Sequence, residues 1–175
     1  GSNDYVLTSD GTDIAWEAAG GVSALDGLSD AKSAGTNFGN SLIIGHQTTG
    51  TLNNATYNTA VGLTTMDAIT SGDSNTAVGH GAMTDLNTAQ GCDAFGREAL
   101  ANVTSGASNT AFGYASLGTV STSTGNVAVG RAALNANTAS NNVAVGFNAL
   151  TANIGGAPNT AVGTNSMKAN TTGTN

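Results

Sequence analysis

Positive charge is scarce in this chain, which has four Lys and Arg residues among 175 and a formal net charge of −7. Nucleic-acid binding depends on clustered Lys and Arg, so this composition argues against a nucleic-acid partner. No run of 18 apolar residues occurs, and the sequence therefore predicts no transmembrane helix. Cys92 is the single cysteine and permits no disulfide within the chain.

Large apolar residues are also few. Val, Leu, Ile and Phe together number 31, about 18% of the chain. Combined with the net charge, that fraction is typical of disordered proteins. The regular spacing of these residues contradicts that interpretation, because a disordered chain has no reason to repeat them at a fixed interval. A narrow stack of repeats does, since each repeat adds to one continuous and thin core.

A five-residue motif that begins with Asn and ends with Gly recurs along the sequence. Its clear copies are Asn58–Gly62, Asn75–Gly79, Asn109–Gly113, Asn126–Gly130, Asn142–Gly146 and Asn159–Gly163, with degenerate copies at Ser41–Gly45 and Cys92–Gly96. Successive closing glycines lie 17 residues apart, except for 16 between Gly130 and Gly146. A fixed period of this length indicates stacked repeats. We therefore predict an all-β protein in which residues 41–175 form a β-solenoid of eight rungs, each of approximately 17 residues.

Three regions are predicted along the chain. Residues 1–2 are typical of the remnant left when an expression tag is cleaved. Residues 3–40 comprise a β-hairpin, with strands at Tyr5–Thr8 and Ile14–Glu17 around an Asp-Gly turn, and a connector with one short helical turn. The repeat array fills residues 41–175 and stops within a repeat, so we expect it to belong to a longer protein.

Positions within a rung are numbered from the closing glycine, which is position 0. Position −1 is always apolar, and alternation along a strand places it on the same face as position −3. We predict that the −1 side chains, hereafter the valine column, face the core. Position +4 supplies a second apolar ladder, mostly Met and Leu. The valine column comprises Val61, Val78, Phe95, Phe112, Val129, Val145 and Val162.

Position −2, on the opposite face of the same strand, is almost always alanine. This alanine column comprises Ala60, Ala77, Ala94, Ala111, Ala128, Ala144 and Ala161. A solvent-facing strand position would vary among polar residues, so the unbroken alanine indicates a second buried face. Two interpretations stay open. The solenoid has a narrow core that admits only methyl groups, or identical chains pack closely around a common axis.

Position +1 is the column that could bind a partner, because it follows the corner glycine and is expected to point outward. It reads His46, Leu63, His80, Arg97, Tyr114, Arg131, Phe147 and Thr164. We name Arg97, Tyr114, Arg131 and Phe147 the +1 stripe. Their alternating guanidinium and aromatic groups suit cation–π contact and are the candidate surface-binding residues. The other interpretation is a solvated ladder that only stabilises itself. Asp93, beside Arg97 and Glu98, is interpreted as part of a local ion pair.

The repeat does not bring together groups that could support catalysis or bind a metal. His46 and His80 lie two rungs apart, about 10 Å at the usual strand spacing, which is too far to share one ion. Asp67, Asp73 and Asp85 occupy no common position, as a calcium-binding solenoid would require. Glycines recur once per rung without a following Lys-Ser/Thr, unlike a nucleotide-binding loop. The sequence therefore predicts no catalytic residue, no metal site, no cofactor and no enzymatic activity.

The repeated Asn-Thr-Ala-Val-Gly-x-x-Ala-Leu pattern resembles the β-solenoid repeats of tailed-phage tail fibres, especially those of marine phages. It is also similar to the head repeats of trimeric autotransporter adhesins, which carry a related Ser-Val-Ala-Ile-Gly pattern. Residues Tyr5–Trp16 and Leu25–Asp30 look like the linker that precedes fibre modules in phage structural proteins. The resemblance implies a homotrimeric, elongated shaft on the virion surface, or otherwise extracellular or on a cell surface, that presents receptor-binding elements.

The leading hypothesis is a structural and adhesive shaft segment of a viral tail fibre. Its expected partners are further copies of itself and a cell-surface glycan or protein receptor, without membrane insertion. The alternatives are an ice-binding or glycan-binding solenoid and a bacterial surface adhesin head. Ice binding requires an outward and regular Thr ladder, whereas the Thr residues at position −3 share the predicted core face and are interrupted by Asp93. Those residues are Thr59, Thr76, Thr110 and Thr160.

Overall fold

The computed structural model describes residues 5–9, 14–18, 31–33, 37–45 and 49–174, the first three ranges through their backbone alone. Strands β1 (Tyr5–Ser9) and β2 (Ile14–Ala18) pair antiparallel. The predicted N-terminal hairpin is therefore confirmed, and each strand is one residue longer than expected. The predicted Asp-Gly turn lies outside the described residues.

The repeat array forms a β-solenoid, as predicted. Each rung contributes one three-residue strand at positions −3 to −1. The strands are β4 (Leu42–Ile44), β5 (Thr59–Val61), β6 (Thr76–Val78), β7 (Asp93–Phe95), β8 (Thr110–Phe112), β9 (Val127–Val129), β10 (Val143–Val145) and β11 (Thr160–Val162). They pair in parallel with equivalent positions opposite each other, so that Ala111 stands between Ala94 and Ala128. The described part of the chain contains no helix.

A strand that the sequence did not predict covers the first rung. Strand β3 (Ala31–Ser33) lies in the region expected to be a connector, and it pairs antiparallel with β4. An uncovered β4 would present a row of unpaired backbone groups, and β3 satisfies them. Residues 19–30 and 34–36 of the connector lie outside the described residues. Its last part, residues 37–40, is described without a helix and places Phe38 in the core.

The valine column points outward, so its predicted place in the core is wrong. Phe112 is 46% exposed and Val162 68%, and the other members are exposed or half-buried. The alternation of positions −1 and −3 against −2 is as predicted, but the two faces were assigned the wrong way round. The −2 side chains take the inner face instead: Ile43 fills it in the first rung, and from the second rung on the smaller alanine leaves room for the long +4 side chains.

The alanine column lies on that inner face. All its members are 0–1% exposed within a single chain. This matches the interpretation as a narrow core, and packing against a partner chain is not needed to bury these residues. From the opposite wall, the +4 ladder meets the alanine column as expected. Its fully buried members are Met66, Met83, Leu100, Leu117, Leu134 and Leu150.

Position +7 is a third core column, which was not predicted from the sequence. Ile69, Leu86, Val103 and Val120 are fully buried there in four successive rungs. In the next two rungs the same position holds buried Asn137 and Asn153, and Asn153 Nδ2 donates to Asn137 Oδ1 at 2.8 Å. The signal was present in the sequence, since +7 is apolar in consecutive rungs, but it is weaker because the residue type changes along the array.

The closing glycine is required by backbone geometry. Gly79 has φ +138°, and a Cβ there would lie 2.5 Å from the carbonyl oxygen of Gly96 in the next rung. Neither the torsion nor the space suits another residue. The +4 residues are also left-handed, with φ between 48° and 55° from Met66 to Met167. For Leu and Met this conformation is unfavourable, and burial of the side chain offsets it.

Position −4 forms a buried asparagine column. Asn is not used here for a positive φ, since the residues with positive φ are those one position earlier, such as Ser74 and Ser108. Instead, Asn58 Oδ1 accepts both the backbone N–H of Asn75, at 3.1 Å, and its side-chain Nδ2, at 3.0 Å. The same Nδ2 donates to the Ala89 carbonyl at 2.9 Å. Carboxamides thus link the rungs where backbone hydrogen bonds alone would leave buried groups unpaired.

Cys92 interrupts the asparagine column. Its backbone N–H still donates to Asn75 Oδ1 at 2.9 Å, and its Sγ contacts the Gly106 carbonyl oxygen at 3.2 Å. Burial raises the pKa of the Cys92 thiol, so the side chain stays neutral. A thiol is a weak donor and acceptor, and it replaces a carboxamide that could make several stronger hydrogen bonds.

The 16-residue rung is one residue short in its return segment, between Thr138 and Asn142. Strands β9, β10 and β11 keep their register across it. The return tightens at Asn137, whose Nδ2 donates to the Ala139 carbonyl at 2.6 Å, two residues ahead. In the next rung the equivalent Asn153 reaches three residues ahead, to Gly156. The deletion is therefore absorbed locally, outside the sheet.

Replacing Ala111 by Arg should abolish folding, because the site has no room and an unpaired buried charge costs several kcal/mol. Circular dichroism and thermal unfolding measure this directly. Thr110→Arg is the matched control, since Thr110 lies on the outer side of the same strand and should tolerate the change. Equal folding of the two variants would contradict the narrow core.

Cys92→Asn should stabilise the protein by about 1 kcal/mol, because the carboxamide restores the interrupted column. The urea midpoint should rise with an unchanged m-value. Cys92→Ala, which removes the side-chain polar group, is the comparison and should fall below wild type. If the Asn and Ala variants unfold at the same urea concentration, the column contributes no net stability.

Candidate surface-binding site

The +1 stripe stands on the outer surface, directly after the corner glycine. Tyr114 is 39% exposed and Phe147 41%, and Arg97 and Arg131 are exposed. Backbone hydrogen bonds between rungs hold its members in line: Ala132 N–H donates to the Tyr114 carbonyl at 2.9 Å. The stripe is thus rigidly spaced by the solenoid. Leu63, His80 and Thr164 continue the column outside the stripe and are exposed, and His46 lies outside the described residues.

The guanidinium and aromatic groups of the stripe stack in alternation, as predicted. The Cζ atom of Arg97 lies 5.3 Å from the ring centroid of Tyr114. The Cζ atom of Arg131 lies 5.5 Å from the same ring and 5.6 Å from that of Phe147. These distances are within cation–π range. Arg131 is therefore flanked by a ring above and a ring below along the solenoid axis.

The two arginines differ in their charge environment. Arg97 donates to Glu98 Oε1 through Nη2 at 2.7 Å and through Nε at 3.1 Å, and Glu98 raises the pKa of Arg97. An ion pair therefore forms between Arg97 and Glu98, but the prediction that Asp93 takes part in it is wrong: Asp93 stands at position −3 of the sheet and forms no ion pair among the described residues. Within the described residues Arg131 forms no ion pair, and its charge is met by the two aromatic rings alone.

A shallow groove of about 320 Å³ begins beside the stripe. It exists because Gly118 occupies position +5, where neighbouring rungs carry a side chain, and Asn135 folds over it to donate to the Ala115 carbonyl at 2.7 Å. Glu98 belongs both to this groove and to the ion pair with Arg97, so the two features are adjacent. The groove was not predicted from the sequence, where its signal is a Gly at +5 between two rungs that carry Ala101 and Asn135 there. Its lining is Glu98, Ala101, Asn102, Ala115, Gly118, Thr119 and Asn135.

The valine column forms a second outer surface, on the other side of the corner glycines. It gives the sheet an exposed apolar strip, in which the rings of Phe95 and Phe112 stack at 4.4 Å with an interplanar angle of 18°. Position −3 lies on the same face and carries Thr in several rungs. The outer face of the sheet is therefore flat, uncharged except at Asp93, and partly apolar.

Metal-binding clusters and membrane-spanning helices are both missing from the part of the chain that the structure describes. Those residues contain no group of three or more His, Cys, Asp or Glu side chains placed to hold a metal ion. They also contain no helix long and apolar enough to cross a membrane. Compared with protein-family models, curated proteins and solved structures, the chain gives no significant match.

Proposed function

We propose that this chain is a structural and adhesive shaft segment of a viral tail fibre, carried on the virion surface. The observation that supports the proposal is the stack itself: eight parallel strands repeat in register with one cross-section. At about 4.8 Å per strand, each further rung lengthens the rod without changing its faces. Such a rod can hold a contact site at a distance. The repeat pattern that resembles phage fibres gives the proposal its biological setting.

Within this proposal the shaft is a homotrimer. The alanine column is occupied by the chain's own core, so chain-to-chain contact must use another surface. The valine column suits that role, because it is a continuous apolar strip on a flat sheet face, and exposed apolar patches commonly mark interfaces. Packing three chains through these strips would leave the +1 stripe at the rim of each contact, accessible to a receptor.

The trimer is tested by the mass of the protein in solution. Light scattering at micromolar concentration should give three times the 17.0 kDa of one chain. Phe112→Lys combined with Val129→Lys places charge in the contact and should shift the mass to one chain while the circular dichroism spectrum is kept. Asn102→Lys, at an exposed position on another face, is the control. A wild-type mass near 17.0 kDa would refute the trimer.

Adhesion through the shaft is tested at the stripe. Tyr114→Ala with Phe147→Ala should change the free energy of unfolding by about 1 kcal/mol or less, since both side chains are at the surface. The double variant should nevertheless be retained less on host cells or on a glycan array, because exposed aromatic residues often dominate contact sites. Thr164→Ala, in the same column but outside the stripe, is the control. Unchanged retention of the double variant would contradict adhesion through this segment.

Ice binding is the second candidate function, and one observation favours it. The Thr residues at position −3 point outward, contrary to the expectation that they share a core face, and they alternate with Val at position −1 on a flat parallel sheet. Asp93, Val127 and Val143 interrupt the Thr ladder, which is why this candidate ranks second. A thermal-hysteresis measurement distinguishes the two functions, since a fibre shaft should show none.

A further inference from the structure

We infer that the +1 stripe binds an acidic polysaccharide, with the guanidinium of Arg131 as the group that recognises a carboxylate of the polymer. This inference rests on the proposed adhesive function and adds the chemical class of its ligand. It also assigns different roles to two arginines that look equivalent in the sequence.

The charges of the stripe point to an anionic ligand centred on Arg131. In the described residues its guanidinium contacts the rings of Tyr114 and Phe147 and no carboxylate. A ring lies on each side of the guanidinium along the solenoid axis, and Arg131 is exposed, so its N–H groups can donate to a ligand in solution. Arginine matches a carboxylate with two parallel hydrogen bonds in that geometry. Arg97 is already neutralised by Glu98 at 2.7 Å, so it offers much less to an anion.

The shape of the stripe favours an extended polymer. Tyr114 and Phe147 are two rungs apart, about 10 Å along the axis, with Arg131 between them. The half-exposed rings supply apolar surface on either side of the cation, which the C–H groups of successive sugar rings can cover. The +1 stripe is exposed along its length, whereas sites for isolated small molecules are concave and bury most of the ligand.

Hydrogen bonding of the backbone argues against an acidic peptide as the ligand. Extended peptides commonly bind by adding a strand to a free sheet edge. Along the stripe the backbone already bonds from rung to rung, as Ala115 N–H does to the Arg97 carbonyl at 3.0 Å and Asn148 N–H to the Arg131 carbonyl at 3.0 Å. The ligand must therefore be recognised by side chains alone, which suits a carboxylated sugar chain.

The test uses the full chain and immobilised polygalacturonate, with neutral dextran and polyglutamate as comparison polymers. Wild type should bind polygalacturonate, weaken as salt is added, and bind dextran and polyglutamate at least about tenfold less. Arg131→Gln should reduce binding about tenfold, and Arg131→Lys, which keeps charge but loses the planar fork, should fall between. Lys168→Gln removes the same charge outside the stripe and should have no effect.

Glu98→Gln is the most discriminating variant in the binding test, because it releases Arg97 from its ion pair. Binding should rise several-fold, which a merely structural role for Glu98 would not produce. Equal losses from Arg131→Gln and Lys168→Gln, or equal binding of polyglutamate, would overturn the inference, since either result would indicate unspecific charge attraction.

Retention on host cells is scored in parallel, so that the ligand class and the adhesive function can fail separately. If Arg131→Gln is no longer retained on cells but wild type does not bind polygalacturonate, the proposed ligand class is wrong and the adhesive function is supported. If wild type binds polygalacturonate but is not retained on cells, the ligand class stands and the adhesive function is wrong.

Discussion

Hydrogen bonding between rungs, parallel to the solenoid axis, is the constraint on which the rest of the structure depends. Every strand of the stack is only three residues long, so no rung could be stable alone. Backbone pairs join the strands, and the asparagine column adds a buried carboxamide link at position −4. In Asn58, Asn75 and Asn109 the side-chain oxygen accepts from the next rung and the side-chain nitrogen donates to a carbonyl of its own rung, so these residues fix both the stacking and the closure of the rung.

The narrow core follows from that stacking and determines what the surface can display. A thin rung has room for alanine at −2 and for one long side chain at +4, and it excludes Val and Phe at −1. Apolar residues of the valine column are therefore forced outward. An outward apolar strip is normally a liability in a soluble protein, particularly on a sheet. In the fibre that we propose, the same strip would give copies of the chain a surface through which to associate.

The sequence predicted the architecture better than the orientation of its side chains. Period, strand position, register and the shortened rung all follow from the spacing of Asn and Gly, which repeat almost without change, and the hairpin follows from two strand-like runs around an Asp-Gly turn. The spacing does not tell which face of the strand lies inside. Alternation places positions −1 and −2 on opposite faces but does not show which of them faces the core. Residue size distinguishes the two faces, because the column of smaller residues, the alanine column, faces the narrow core. At the +1 stripe the stack could be predicted from column position, whereas the ion pair that distinguishes Arg97 from Arg131 depends on a rotamer of Glu98.

Individual rungs of this molecule differ from one another through residues that depart from the repeat. The rung that closes at Gly96 differs from its neighbours by Cys92, Asp93, Arg97 and Glu98, yet its core residues Ala94, Ala99, Leu100 and Val103 remain fully buried. The groove likewise involves a departure from the repeat, Gly118, which lies beneath the Asn135 side chain. The alanine column and the +4 ladder vary little from rung to rung, whereas the outer position +1 varies widely, and +1 is a position that a ligand would meet. In a solenoid, residues that depart from the repeat while the core stays buried are therefore the first candidates for functional residues.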